Sequence, residues 1–498
     1  MTDATVTLAW IVPALPLACA LVLQATRTHA QADRLNLVTA VVTAAAALAL
    51  SAILLARGGR APLHGDLYLL DGAAGVFLGV IAVIGLCSAL VSPAYLRTTG
   101  RGWFRARRSR HWYYAALYSF WAALLAVPIA GNLALAWLLV EATTATSAVL
   151  IAFTGGRHAL EAGWKYLVLT SLGLSVSLLG IVLLAAGLSR EGQEGLGALD
   201  WHALERTAGD LPQEATLVAF VLILAGLATK VGWAPVHNWL PDAHSEAPAP
   251  ISALLSGALL PTVALVAWRV KVTLDSAVGA GTAGALFIAF GLASLVVAIP
   301  FLWRALPWKR LLAYSSLEHM GVIALGIGFG TPLAIAGVVL HVAGHALAKA
   351  LGFYAALPLL RRNPDAARQA PSGVVSDSPA TAVAMGVSLG ALGALPPSPL
   401  FVSELLILLG GIAAGETAVA AVAAVALALG FLGLIHALLE GVLGPAAAGR
   451  RSTSPRRRSE RLVATMTAAI GAALLALTAA GLLLPGSAFV DALARGVL

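Results

Sequence analysis

Six ionisable side chains stand where their neighbours are apolar: Glu141, Lys165, Lys230, Lys349, Glu404 and Glu440. A charge at the centre of a bilayer costs roughly 2.5–3.5 kcal/mol on insertion scales, so each is a functional hypothesis by default. Carboxyls and lysines in such surroundings can take up and release protons, because burial and nearby charge decide which form they hold. Glu141 lies about ten residues into the run 132–153, near mid-membrane at ~1.5 Å per residue and out of reach of snorkelling. A buried ion pair and proton carriage both fit it. Lys165 follows Glu161 by one helical turn, so it either snorkels to the interface with that partner or joins the buried groups.

Two of these residues stand beside helix breaks. Lys230 is followed by Val231-Gly232-Trp233-Ala234-Pro235-Val236-His237-Asn238-Trp239-Leu240-Pro241, and Leu395-Pro396-Pro397-Ser398-Pro399 precedes Ser403-Glu404. Proline lacks an N–H and clashes with the preceding turn, so both segments must be discontinuous. Irregular backbone at membrane depth survives only inside protein or beside a wet cavity. A matched pair of broken helices points to an inverted repeat with ion sites at the breaks. His237, inside the first break, joins the candidate proton carriers.

Between the breaks, His341, His345 and Lys349 recur every four residues and share one helical face. Two histidines so spaced could ligate a metal, but no Glu follows the first and no Cys or carboxylate adjoins them in sequence, so no metal is expected. Imidazole is the side chain that titrates nearest neutral pH, so a His, His, Lys ladder suits lateral proton relay. His436 and Glu440 have the same spacing and read as a structural pair.

The elements that must position these residues follow from composition. Of 498 residues 59% are hydrophobic and 11% charged, with a mean hydropathy of +0.89. A soluble globular enzyme and a disordered chain are both excluded. Cys19 and Cys87 are too few for a disulfide scaffold or a cysteine-ligated cluster. No nucleophile–base pair or cofactor motif appears, so no catalytic chemistry and no cofactor are expected in this chain. The net charge of +8 comes from residues between apolar runs rather than from a basic patch, so no nucleic-acid partner is expected.

Spanning ~30 Å of hydrocarbon takes ~20 apolar residues. Fourteen segments are predicted: 7–25, 36–56, 73–96, 113–130, 132–153, 162–187, 215–240, 250–268, 281–303, 310–329, 332–359, 379–410, 416–443 and 462–484. The fold class is therefore an all-α polytopic membrane protein of about fourteen helices, with the seventh and twelfth discontinuous. The breaks suggest repeats over helices four to eight (113–270) and nine to thirteen (271–445). Helices one to three (1–112) precede them, and a basic loop with helix fourteen (446–498) follows. Loops after odd-numbered helices hold 21 of the Lys and Arg residues, including the run 450–461, and the opposite side holds seven, Arg269 and Lys271 among them. The positive-inside rule then puts both termini away from the cytoplasm. The amino end, Met1-Thr2-Asp3, lacks the basic region of a secretory signal.

The stretch from His237 to Gly257, with Pro241-Asp242-Ala243-His244-Ser245-Glu246-Ala247-Pro248 at its centre, resembles the signature of the antiporter-like membrane subunits. These are shared by respiratory complex I, Mrp cation/proton antiporters and membrane-bound nickel–iron hydrogenases. Lys309-Arg310-Leu311-Leu312-Ala313-Tyr314-Ser315-Ser316-Leu317-Glu318-His319-Met320-Gly321 resembles it too, and the likeness is greatest to the hydrogenase-4 and formate-hydrogenlyase type.

The resemblance implies fourteen helices in two inverted five-helix repeats, and proton translocation driven by redox chemistry in partner subunits of a bacterial or archaeal cytoplasmic membrane. Any nickel–iron or iron–sulfur centres would belong to those partners, other membrane subunits and a peripheral redox arm. By motif, Glu141, Lys165, Lys230 and Glu404 match the family's ionisable residues in helices five, six, seven and twelve, and His341, His345 and Lys349 its central relay. One departure stands out: Pro261 occupies the place of a further helix-eight lysine. On this reading Glu141 and Lys165 form an ion pair that controls the charge of Lys230, whose proton passes through His341, His345 and Lys349 to Glu404. A sodium/proton antiporter subunit, which would want more oxygen ligands, and a non-conducting anchor for a redox arm are the alternatives.

Overall fold

The computed structural model describes residues 2–57, 61–98, 109–193, 195–362, 370–445 and 457–483. Backbone groups in hydrocarbon must be bonded within their own segment, so the apolar runs become helices. In chain order these are α1 (Thr2–Val22), α2 (His29–Ala56), α3 (Gly72–Thr98), α4 (Ser109–Ala126), α5 (Leu133–Ile151), α6 (Arg157–Arg190), α7 (Gln213–Val231), α8 (Ala249–Val278), α9 (Ala280–Leu302), α10 (Trp308–Phe329), α11 (Pro332–Ala355), α12 (Pro379–Leu392), α13 (Pro399–Ala413), α14 (Thr417–Ala437) and α15 (Arg457–Leu483). Among the described residues thirteen helices are long and apolar enough to cross a membrane, and α12 and α13 are shorter apolar helices.

The bundle has a centre and a periphery. The apolar windows of α8, α10 and α11 are 100%, 94% and 83% buried, against 33% for the first helix and 28% for the last. The His341, His345, Lys349 face therefore lies on a central helix, away from lipid. Around this centre α6 packs on α7 and α11 on α13. Small residues let these backbones approach closely: a Cβ at Gly226 would lie 2.4 Å from the Gly173 carbonyl oxygen.

Both expected breaks are present, and side chains take over the freed backbone groups. The first begins at Gly232, whose φ of 80° is left-handed. Trp239 Nε1 donates to the Thr229 carbonyl at 2.7 Å, Trp233 Nε1 to Met320 at 2.7 Å, and Ser294 Oγ accepts from the Ala234 amide at 3.0 Å. The chain resumes as a short helix, Leu240–Glu246. The second break joins α12 to α13, where Ser398 caps α13 by accepting from the Leu400 amide and donates to the Ala391 carbonyl. At the start of α5, Asn132 accepts from the Leu135 amide and donates to Asp66 O in the loop between strands β1 (Leu63–Gly65) and β2 (Tyr68–Leu70). This ribbon fixes the end of α5 and so the depth of Glu141.

Two sequence expectations need correction. The eighth segment does not stop at residue 268; Arg269 and Lys271 lie inside α8, 5% and 7% exposed. Arg269 makes a bidentate pair with Asp71 at 2.9 and 2.8 Å and donates to the Pro128 carbonyl at 2.8 Å. Its charge is cancelled in place, which lets the helix run on to Val278. Lys309, counted as a loop residue, is buried at the start of α10 and donates to the Ser245 and Ala247 carbonyls. Arg60, Arg101, Arg105, Arg107, Arg108, Arg368, Arg450, Arg451, Arg456 and Arg495 lie outside the described residues, as does most of the run 450–461.

Candidate functional site

On α5, Glu141, Thr144 and Ser147 follow one another at helical spacing. Glu141 is half-buried; its Oε1 accepts from Ser171 Oγ at 2.6 Å, and its Oε2 is buried without a hydrogen-bond partner. Lys230, at the end of α7, is wholly buried. Its Nζ donates to Thr144 Oγ1 at 2.7 Å and to the Tyr166 hydroxyl, which in turn meets Ser147 Oγ at 2.7 Å. The lysine is thus held by neutral hydroxyls. It can be charged or neutral without breaking an ion pair.

Lys165 is placed elsewhere. It pairs at 2.5 Å with Glu161, the partner one turn away that the sequence offered, and at 3.7 Å with Asp242, rather than with Glu141 as the reading based on the resemblance had it. The reason is helical geometry: neighbouring residues on α6 point about 100° apart, so Tyr166 faces Lys230 and Lys165 faces the rim. Asp242 also meets Arg310 at 3.2 Å, which ties the rim of α6 to α10 through the short helix after the first break. His237 is half-buried within that break, and its Nδ1 has no hydrogen-bond partner.

The second group gathers on α10, α11 and α13. His341 Nε2 lies 3.1 Å from His319 Nδ1, and its Nδ1 lies 2.9 Å from Ser403 Oγ. The His319 and His345 rings are 4.9 Å apart. Lys349 is wholly buried and donates to the Leu312 carbonyl at 2.6 Å. Glu404 completes the group: ligand atoms of His319, His341 and Glu404 all lie within 4.8 Å of one another. The sequence showed no carboxylate beside the histidines, but folding brings Glu404 there. In the structure one nitrogen of each ring is used in the His319–His341 hydrogen bond. Proton exchange along that bond needs no rearrangement.

Hydroxyls lie between the two groups. Pro261 cannot donate, and its ring would clash with the carbonyl four residues earlier; the turn Leu255–Leu259 widens into a π-helix. There Ser256 Oγ meets Ser316 Oγ at 2.8 Å, and Ser316 donates at 2.9 Å to the same Leu312 carbonyl that Lys349 uses. His244 is buried between the rings of Trp239 and Phe353 at 6.2 and 6.0 Å.

The structure therefore brings together Glu141 and Lys230 in one group, and His341, His345, Lys349 and Glu404 in the other. It sets Lys165 and His237 at the margins. His436 and Glu440 form an exposed pair at 3.3 Å. Sequence reading missed Thr144, Ser147, Tyr166, Ser256, Ser316, Glu318 and His319 as parts of the site. The hydroxyl run Thr143-Thr144-Ala145-Thr146-Ser147 directly after Glu141 was an available signal.

Comparison with known proteins bears on the fold and the family. Residues 130–430 match the family described as NADH:quinone oxidoreductase/Mrp antiporter, TM. The hydrogenase-4 component F homolog of Methylacidiphilum infernorum is 33% identical over 346 residues, 69% of this chain and 72% of that protein. NADH-quinone oxidoreductase subunit N of Desulforudis audaxviator is 30% identical over 421 residues, 81% of this chain and 79% of that one. Among solved structures, a chain of the Mrp complex from a Dietzia species superposes with a TM-score of 0.80 at 21% identity, covering 99% of this chain and 97% of its own. A chain of the membrane-bound sulfane sulfur reductase, an archaeal respiratory membrane complex, gives 0.79 at 21% identity, covering 98% and 99%. The chain is a multi-pass membrane protein and belongs to the NADH:quinone oxidoreductase/Mrp antiporter transmembrane family, as one of its antiporter-like subunits.

Proposed function

We propose that this chain carries protons across the cytoplasmic membrane of a bacterium or archaeon as the non-redox subunit of a redox-driven complex. Its partners are other membrane subunits and a peripheral arm, which would hold any nickel–iron or iron–sulfur centres. The observation that carries the reading is that Lys230 and Lys349, both wholly buried, are bound by hydroxyls and a carbonyl rather than by carboxylates. A buried ammonium locked to a carboxylate would be structural. One resting on neutral partners can give up its proton to a neighbour.

In the proposed path Glu141 acts on Lys230 through the Thr144, Tyr166 and Ser147 hydroxyls. Protons cross the middle by way of His244, Ser256, Ser316 and Lys349. The rings of His345, His319 and His341 then deliver them to Glu404. Residues 113–270 and 271–445 serve as two inverted half-channels, with both termini away from the cytoplasm.

The test is proton uptake into vesicles carrying the purified complex, energised by its own electron donor, with and without sodium. Sodium-independent acidification that vanishes in Glu141→Gln, with subunit content unchanged, supports the reading. Acidification that requires sodium would move the assignment to a sodium/proton antiporter. Equal acidification by wild type and Glu141→Gln would leave an anchoring role.

A further inference from the structure

Glu318 precedes His319 on α10, so the two side chains point about 100° apart. His319 turns to the imidazoles of α11, and Glu318 turns the other way, towards α14. Its side chain is buried at 3% exposure, and its Oε2 has no hydrogen-bond partner. The room for it comes from Gly430 on α14: a Cβ there would lie 1.8 Å from Glu318 Oε1.

The carboxyl lines a cavity of about 290 Å³ at the second break, and the other ionisable residue on its wall is Glu404. The rest of the wall is apolar. Leu395, Phe401 and Leu405 on that wall are exposed, so the cavity opens at the flank of the bundle. At about 30 Å³ per molecule it has room for several waters. The ionisable neighbours of the pair are Lys349, which acts electrostatically on Glu318, and the rings of His319 and His341.

We infer that Glu318 and Glu404 together form a two-carboxyl proton-holding site in this cavity, with Gly430 as the residue that admits Glu318. The inference rests on the proton-carrying reading and adds its terminal station. Two carboxylates around one cavity repel as ions and are compatible when a proton is shared between them. A proton leaving the His341 imidazolium forms an O–H bond on one carboxylate, and the imidazole is left neutral. On release that O–H bond breaks to a cavity water, which carries the proton out, and the pair returns to two carboxylates. Lys349 offsets part of that charge.

The experiment uses the intact complex, with Glu318→Gln, Glu404→Gln and Gly430→Ala compared at matched subunit content. Two readouts are taken: proton flux in vesicles, and the protonated-carboxyl C=O stretch in pH-difference infrared spectra. Glu318→Gln is expected to lower flux by roughly tenfold or more. It should also shift the pH at which the Glu404 signal appears, and Glu404→Gln should do the same to Glu318. Gly430→Ala, which leaves both carboxyls in the chain but displaces one, should reproduce part of both effects. A purely structural Glu318 would lose flux only in step with assembly and leave the Glu404 signal unmoved, which overturns the inference. If Lys230→Ala stops flux while Glu318→Gln matches wild type in both readouts, the two-carboxyl site falls and the path stands. If Lys230→Ala also leaves flux intact, the proton reading falls with it.

Discussion

The two helix breaks solve the same backbone problem and present opposite chemistry. At the first, a cation, Lys230, is wholly buried and wrapped by the hydroxyls of Thr144 and Tyr166. At the second, a carboxylate, Glu404, lines a cavity of about 290 Å³ that opens at the flank of the bundle. One break encloses a lysine among hydroxyls and the other sets a carboxyl beside a cavity. Between them runs the most buried part of the molecule, α8, α10 and α11. On the proposed path this contrast sets a hydroxyl-bound lysine at one break and a carboxyl beside a cavity at the other.

Substitutions can sharpen or break this contrast. The largest expected effect is at Lys230: Lys230→Met keeps the volume and removes the titrating group, so proton flux in vesicles should fall by about a hundredfold or more. Next comes Tyr166→Phe, which deletes one hydroxyl partner of Lys230 and the hydrogen bond to Ser147, whose Oγ keeps the Thr143 carbonyl. A loss of about 1–3 kcal/mol in the hydrogen-bonded group should appear as a several-fold drop in flux, with a lowered melting temperature. At the second break Ser403→Ala removes the hydroxyl that meets His341 Nδ1 at 2.9 Å. Because His341 keeps its hydrogen bond to His319, the expected loss is only about two- to threefold. The smallest effect belongs to the rim, where Asp242→Asn weakens half-exposed pairs with Lys165 and Arg310 and should change stability by under about 1 kcal/mol. A large loss at Asp242 with none at Tyr166 would invert the proposed division between core and rim.

Much of this was legible in the sequence, for identifiable reasons. Prolines 235, 241, 396, 397 and 399 cluster within two apolar runs, and clustering of this kind breaks a helix where a single proline such as Pro93 or Pro300 does not. Glu141, Lys230 and Lys349 stood out as candidates because a charge among apolar residues is costly in a membrane. What stayed hidden was three-dimensional. Nothing local says that Asp71, nearly two hundred residues away, neutralises Arg269 and keeps α8 helical. For Lys165 the sequence offered Glu161, which the structure shows, and Glu141, which it does not; the choice depends on helical phase and on how α6 packs. Glu318 and His319 stand inside a recognisable run, but their opposite facings become meaningful only once α11 and α14 are in place. Tyr166 and Thr144 were overlooked because hydroxyls cost little in an apolar segment: Thr144 can bond its own helix, and the partners of Tyr166 on α5 and α7 appear only on folding.

The most direct test of the path between the breaks is the number of protons moved per electron pair by vesicles carrying the intact complex, compared for wild type and Lys230→Ala. Transport through Lys230 requires that this subunit's share of the proton yield disappear in the variant while every subunit remains assembled. An unchanged yield from a fully assembled Lys230→Ala complex would contradict it.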